Sequence, residues 1–312
     1  MKIFYSLNSF LSSGLARRTF VATIGVFDGL HKAHKEIIKA MKKKAGARCK
    51  TLVITFNPHP LKVIFPAKKT PLLVSFAHRM RLVEEEGIDA ALVLRFDKKL
   101  AAMPMEEFIK KILGRIRIKE LCVGANFFFG RHKKGTPKKL RDFSGIFRYR
   151  VTSVQPIKKK GFTISSTRIR RLIKRGELSS AEDLLGRPVS VLGTVIKGHG
   201  RGRSLGFPTA NIDPHHEAIP LSGVYAVKIR HNSATYGGIL NIGTRPTFRI
   251  EREEPEPSIE AYIFNFRKNI YGEDLEIGFV KKIRNERKFR QVEQLKRQIK
   301  KDMLRAKKVL RP

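Results

Sequence analysis

Cysteine is scarce in this chain. Cys49 and Cys122 are the only two in 312 residues, too few and too far apart for a disulfide framework or a zinc knuckle. A reducing cytoplasm is the setting this implies. Long apolar runs are also missing. None approaches the ~20 residues that a membrane-spanning helix requires, so no membrane partner is expected. The opening stretch MKIFYSLNSFLSSGLARR is broken by Ser6, Asn8 and the Ser12-Ser13 pair, which argues against a cleaved signal. Acidic residues are few: 27 Asp+Glu stand against 65 Lys+Arg, a formal net charge of +38. The excess runs through the whole chain and is not a basic tail. Such a field attracts nucleic acid, and equally small anions such as nucleotides and phosphates. No zinc-finger spacing and no RNP-type aromatic run accompanies it. Solvated lysine-rich faces are therefore the preferred reading. A basic nucleic-acid-binding protein on the same fold is the alternative of another class. No internal repeat is visible, and the sequence leaves the oligomeric state unknown.

What is present reads as two domains. Apolar residues make up 41% of the chain, enough for packed cores. VATIGV over 21–26 has the texture of a buried strand, and HKEIIKAMKKKA over 34–45 that of an amphipathic helix. Ile37, Ile38, Met41 and Ala45 make its apolar stripe, opposite lysines. TLVITF over 51–56 is again a strand, so the three form a βαβ unit with a parallel sheet. The pattern continues with a helix over 77–86, a strand over 89–95, a helix over 104–113 and a strand over 118–124. Ser165-Ser166-Thr167 then caps a helix over 167–175, and Ser179 and Ser180 cap a short one stopping at Gly186. After Arg187-Pro188 the texture changes. Short β-rich runs at 189–197, 223–230, 236–242, 258–266 and 275–281 predict a small antiparallel barrel, closed by a helix over 291–308. The expected boundary lies at 186/187, giving an α/β domain over 1–186 and a barrel with a terminal helix over 187–312.

Ligands of open α/β sheets bind beyond the carboxyl ends of the strands. GVFDGLHKAH, residues 25–34, sits at such an end. It places His31 and His34 at a helix start, where free N–H groups and the helix dipole favour an anion. Taken alone, an H-x-x-H pair is also what capping or surface histidines look like. Three further stretches follow: Thr55-Phe-Asn-Pro-His-Pro60, Gly124-Ala-Asn-Phe-Phe-Phe-Gly130 and Ile164-Ser-Ser-Thr-Arg-Ile-Arg170. Their aromatics suit the wall of a flat ring system, and the last offers hydroxyls and arginines at a helix start. In the second domain, Gly193 to Asn211 is rich in glycine. It has no G-K-[ST] ending, so it is not a Walker A loop, and its β-rich setting is wrong for a Rossmann fingerprint. Gly198, Gly200, Gly202 and Gly206 could still let backbone N–H groups cradle phosphates. Thr209 and Asn211 offer hard oxygen donors suited to Mg²⁺. A flexible hairpin loop fits the glycine count equally well.

The four stretches of the first domain resemble, in order, the adenylyltransferase module of the bifunctional riboflavin kinase/FAD synthetases. That family reads G-x-F-D-G-x-H-x-G-H, T-F-x-P-H-P, G-x-[DN]-F-x-F-G and I-S-S-T-x-I-R. Gly193 to Asn211, Gly223-Val-Tyr-Ala-Val, Asn241-Ile-Gly-Thr-Arg-Pro-Thr-Phe248, Ile259-Glu260 and Tyr271-Gly272 resemble its riboflavin kinase module. The resemblance covers about 20 to 310. It implies a Rossmann-like nucleotidyltransferase domain that adenylylates FMN to FAD, and a barrel that phosphorylates riboflavin to FMN. ATP would be co-substrate of both reactions, with riboflavin and FMN as substrates and Mg²⁺ as the cofactor. It implies that His31 and His34 contact the ATP phosphates with Asn126 near them, within a loop including Gly25, Phe27 and Asp28. Ser166, Thr167 and Arg168 would complete the nucleotide site, and Pro58, His59 and Pro60 would lie against the flavin. In the barrel, Gly198, Gly200, Gly206, Pro208 and Asn241 would belong to the binding site. Thr209 and Asn211 would hold Mg²⁺ and phosphates, and Glu260 would be the general base. Arg284, Arg287 and Phe289 would sit near the flavin, and the acidic run Glu251–Glu256 would be a solvated hairpin tip. Two positions depart from the pattern. Ala33 replaces the glycine between the histidines, and Phe128 stands where a polar residue is usual. Weakened adenylyl transfer is expected from the added methyl, with a kinase whose second activity is impaired as the alternative.

Overall fold

The structure is a computed structural model describing residues 1–68, 70–159, 161–198, 202, 205–244 and 257–311. The chain divides into two compact units. The first comprises Met1–Pro71 and Phe76–Ser166; the second comprises Leu72–Ser75 and Thr167–Pro312. By packing, residues 167–186 group with those that follow them.

In the first unit the elements run β1 (Lys2–Phe4), α1 (Leu7–Leu11), β2 (Phe20–Ile24), α2 (Lys32–Ala45), β3 (Lys50–Asn57), α3 (Pro60–Ile64), α4 (Phe76–Glu85), β4 (Ala90–Arg95), α5 (Lys98–Ala102), α6 (Met105–Lys111), β5 (Ile118–Gly124), α7 (Pro137–Asp142), α8 (Ser144–Phe147), β6 (Arg150–Val154), β7 (Lys158–Lys159) and β8 (Phe162–Thr163). Six strands form one sheet in the order β1-β4-β3-β2-β5-β6. Every pairing in it is parallel, as the βαβ reading requires. Strand β2 is buried throughout and β3 and β4 are buried except at their ends, which explains their apolar runs. On α2, Ile38, Met41 and Ala45 are buried while Lys42, Lys43 and Lys44 crowd the last turn, where the helix dipole favours cations. Asp89 pins the start of the β3–β4 ladder. It accepts from the Thr51 amide at 2.9 Å, the Thr51 hydroxyl at 2.7 Å and the Lys50 ammonium at 2.8 Å. Edge strands β1 and β6 carry little sequence signal, because three residues and a half-buried run give little periodicity.

The second unit holds, besides Leu72–Ser75, the helix α9 (Ser166–Lys174) from Thr167 onward and α10 (Leu178–Leu185). Ser179 and Ser180 lie inside α10. Its N-cap is Glu177, with no side-chain capping bond, so those serines are not caps. There follow β9 (Ser190–Ile196), β10 (Ala210–Asp213), β11 (Gly223–His231), β12 (Ala234–Thr244), β13 (Pro257–Ile263), β14 (Asp274–Arg284) and α11 (Val292–Leu310). The strands close into a barrel in the order β10-β13-β12-β11-β14-β9, antiparallel throughout. Closure removes both sheet edges. Helix α11 packs on the outside, through Ile299 and Met303 against Val224, Ala226 and Ile239. Glu217 is a buried tie. Its carboxylate accepts from the Ser75 amide at 2.6 Å and the Leu192 amide at 3.1 Å. This holds Leu72–Ser75 in the second unit despite its distance in sequence.

Candidate active sites

A cavity of about 900 Å³ opens at the carboxyl ends of the parallel strands in the first unit. Gly25, Phe27, His31, Ala33, His34, His59, Pro60 and Asn126 all line it. So do Phe127, Phe128 and Phe129, making one wall aromatic. Phe127 and Phe129 stack with centroids 5.5 Å apart, while Phe128 is 54% exposed and free to cover a ligand. Gly130 closes the run at φ 69°, and a Cβ there would lie 2.9 Å from the Met105 Cα, so only glycine fits.

The loop into α2 is strained. Phe27 and Leu30 have φ of 53° and 41°, and both are buried. Left-handed backbone at bulky residues persists only where the surroundings enforce it. It turns His31 into the N-cap of α2 and sets the imidazoles of His31 and His34 face to face, centroids 3.7 Å apart and 12° from parallel. Phe27 meets His34 edge-on at 5.2 Å. The Nδ1 atoms of both histidines are buried without a hydrogen-bond partner. Burial pulls the His31 imidazole down to about 4. Burial, then His31 and Arg79, hold His34 well below its usual value. Both rings are therefore neutral at neutral pH, and each carries one N–H to donate.

This has a stability consequence. The unfolded imidazole takes up its proton at about pH 6.5, the folded His31 only near 4. Between those values the unfolded chain binds more protons, so stability falls as pH drops through that window. A pH series of thermal midpoints is expected to show this slope, and His31→Gln to flatten part of it. An unchanged slope in the variant would show that His31 is charged or exposed when folded.

The other predicted residues distribute as follows. Asp28 is buried outside the cavity lining, and its carbonyl accepts from the hydroxyl of Ser166, the last residue of the first unit, at 3.0 Å. The Asn57–Pro58 bond is cis, and His59 caps α3 through its own ring, accepting from Leu61 N at 3.1 Å. Thr167 and Arg168 fall in the second unit. Sequence reasoning missed Lys98, Arg131, His132 and Lys133, which add basic groups to the lining. The run Arg131-His-Lys-Lys134 directly after Gly130 was the available signal.

In the barrel, three predicted residues come into one row. Strand β13 lies between β10 and β12, and Glu260 is directly opposite Asn211 on one side and Asn241 on the other. Directly opposed residues share a face. Ile259, Ala261 and Ile263 alternate with Glu260 and are buried, so the row lies on the outer face of the barrel. Two glycines stand close by: a Cβ on Gly198 would fall on the Asn211 amide, and one on Gly202 would lie 2.7 Å from the Thr209 hydroxyl oxygen. Gly206 has φ 84°, and Pro208 leads into β10. Glu286 was not singled out by the sequence. Its Oε1 lies 2.6 Å from where a Cβ of Gly243 would stand, beside Ser258 and Asn241. Arg284 is engaged by the buried carboxylate of Asp302 at 2.8 Å, and Arg284 and Arg287 lie on the Phe289 ring at 5.8 and 5.7 Å. Gly200, Arg245–Phe248 and the run Glu251–Glu256 lie outside the described residues.

Two family models match successive parts of the chain. One described as FAD synthetase matches residues 15–168, and one described as riboflavin kinase matches 185–310. The bifunctional riboflavin kinase/FMN adenylyltransferase of Bacillus subtilis is 36% identical over 286 residues, covering 90% of each chain. The chain belongs to the bifunctional riboflavin kinase/FMN adenylyltransferase family. The Escherichia coli K12 member is 34% identical over 289 residues, covering 92% of this chain and 91% of its own. A Streptococcus pneumoniae crystal structure titled as a macrolide-efflux protein superposes with a TM-score of 0.82 at 30% identity, covering 98% of each chain. That title belongs to that protein; among the described residues here, no helix is long and apolar enough to cross a membrane. The family's two modules coincide with the cavity at the parallel strand ends and the outer-face row of the barrel.

Proposed function

We propose that each activity of this bifunctional enzyme belongs to one of the two sites just described. As a riboflavin kinase and FMN adenylyltransferase the protein makes FMN from riboflavin and FAD from FMN. We assign residues 1–186 to the adenylyltransferase domain and 187–312 to the kinase domain.

For adenylyl transfer, an FMN phosphate oxygen attacks the α-phosphorus of ATP. The new O–P bond forms as the bond to the β-phosphate oxygen breaks and pyrophosphate leaves. The nucleophile is already an anion, so no general base is required, and catalysis rests on positioning and charge stabilisation. His31 and His34 donate their N–H groups to the phosphates, with Asn126 beside them. Gly25, Phe27, Asp28, Ser166, Thr167 and Arg168 frame the nucleotide, and Pro58-His59-Pro60 the flavin. The stacked, neutral histidine pair facing an aromatic-walled cavity carries this reading.

In the kinase the nucleophile is the neutral ribityl 5′-hydroxyl, which must lose its proton as the γ-phosphoryl group transfers. Glu260 accepts that proton. Asn211 and Asn241, in register on either side, orient the acceptor and phosphates. Thr209 and Asn211 would hold Mg²⁺. The fit rests on their two neutral oxygen donors being pressed against glycines that leave room for nothing larger than hydrogen. When bound, Mg²⁺ supplies charge neutralisation at the β- and γ-phosphates. Gly198, Gly200 and Gly206, with Pro208, are assigned to phosphate binding on the family resemblance. Free Cys49 and Cys122 agree with a reducing, cytoplasmic setting.

The test is an end-point assay with riboflavin, excess ATP and Mg²⁺, the flavins being separated by chromatography. FAD is expected. FMN alone would leave the first site impaired, and neither product would overturn the reading.

Ala33 decides between full and weakened adenylyl transfer. It is an ordinary residue of α2 and lines the cavity. Its backbone is helical, so the family's glycine is not needed for conformation here. Any effect of the methyl is contact with the nucleotide. Ala33→Gly is expected to raise FMN adenylylation by several-fold while loosening α2 by up to about 1 kcal/mol. Equal rates would mean the methyl is accommodated.

A further inference from the structure

One buried charge in the first unit has no part in either reaction as derived above. Arg79 lies on α4 and is 4% exposed. Its Nη1 donates to the Val26 carbonyl at 2.7 Å and its Nη2 to the Phe56 carbonyl at 2.8 Å. The place of these two carbonyls in the fold gives the contact its meaning. The β2–β3 ladder ends at the Ile24–Ile54 pair, with one further bond from Gly25 N to Ile54 O at 3.1 Å. Val26 opens the loop that runs to His31 and His34. Phe56 precedes the turn through Pro58, His59 and Pro60. Val26 has thus left the sheet, while Phe56 stands near the end of β3, still paired to Leu94 of β4, and the β2–β3 ladder no longer spaces the two.

Burying a guanidinium is costly unless its donors are used. A guanidinium is also a rigid planar fork, which holds two acceptors at a set separation in a way a lysine ammonium cannot. Its charge acts on Asp28 of the same loop and on His34. The hydrogen bonds therefore join the loop assigned to ATP with the end of β3 that leads into the loop assigned to FMN.

We propose that Arg79 is a positioning residue for adenylyl transfer: one guanidinium clamps the Val26 and Phe56 carbonyls and so sets the spacing between the histidine loop and the Pro58–Pro60 loop. This rests on the assignment of those loops to ATP and FMN. It touches neither substrate in this role. Correct spacing matters because small misplacements of reacting groups cost about 10²-fold in rate.

Two variants of the full-length protein test it. Arg79→Lys keeps the charge and can serve one carbonyl at a time; Arg79→Met keeps the stem and no donor. Riboflavin phosphorylation by the same chain is the control for intact protein, and thermal unfolding with near-ultraviolet circular dichroism reports the first unit. The expected result is a fall in kcat for FMN adenylylation of about 10-fold in Arg79→Lys and about 100-fold in Arg79→Met. KM for ATP and FMN and the kinase rate should move by no more than about threefold. Full recovery in Arg79→Lys would overturn the clamp, since charge alone would then suffice. Adenylylation by a folded Arg79→Met at a rate near the parent's would overturn it too. So would a loss that merely follows the fraction of unfolded first unit at the assay temperature. Failure of the parent to make FAD would be a different outcome and would overturn the underlying assignment instead.

Discussion

Replacing Glu260 by glutamine is expected to lower FMN formation from riboflavin by about 10³-fold. FAD formation from supplied FMN should stay within about twofold, because the two sites are built from separate residues. The substitution is nearly isosteric and leaves the β13 backbone ladder intact. It removes only the ability to accept the 5′-hydroxyl proton. The loss should appear in kcat with little change in KM for riboflavin, as for an interaction made chiefly in the transition state. A glutamine variant phosphorylating riboflavin at a tenth or more of the parental rate would exclude a general-base role. Asn211 and Asn241 would then remain as orienting groups without a base between them. Neither asparagine can substitute, because an amide does not take up a proton near neutral pH.

His34→Ala is expected to lower FAD formation from FMN by about 10²- to 10³-fold, the range for removing one well-placed donor to developing charge. Riboflavin phosphorylation by the same protein should be unchanged. Two effects add in this variant. The donor is lost, and His31 loses the ring stacked on it at 3.7 Å. His34→Gln retains an amide donor of similar reach and should recover part of the rate. Steady-state kinetics with FMN varied at saturating ATP would separate the cases. Equal rates for alanine and parent would leave the histidine pair a packing feature and move the phosphate site toward Arg131–Lys133, which also line the cavity.

Several features of this protein were legible in the sequence because their signals are local. The apolar stripe of α2, the buried run of β3 and the change of texture after Pro188 each depend on residues within a few positions of one another. So do the histidine pair and the glycine loop. The short edge strands β1 and β6 were not legible, since three to five residues cannot establish a period. The serines at 179 and 180 illustrate a different failure. Serine is a good cap by propensity, but α10 begins a residue or two earlier, and the backbone places both serines in helical positions. The recruitment of Leu72–Ser75 to the second unit was also hidden, because Glu217 holds it through the Ser75 backbone amide, which no side-chain pattern announces.

By itself the sequence determined the two-domain order, the parallel and antiparallel classes of sheet and the family resemblance, and it supplied the residues proposed for both sites. Periodicity and motif spacing are properties of neighbouring residues, and they survive in one dimension. Only the tertiary structure decided which of those residues meet. Asn211, Glu260 and Asn241 stand in one row because strand pairing sets their register across separations of 19 to 49 positions. Arg79 reads as one more surface cation in His-Arg-Met-Arg, yet it is buried with its fork on the carbonyls of Val26 and of Phe56 near the end of β3. The two imidazoles are neutral because folding removes them from water. Register, burial and desolvation arise from contacts distant in sequence, and only the folded chain brings them about.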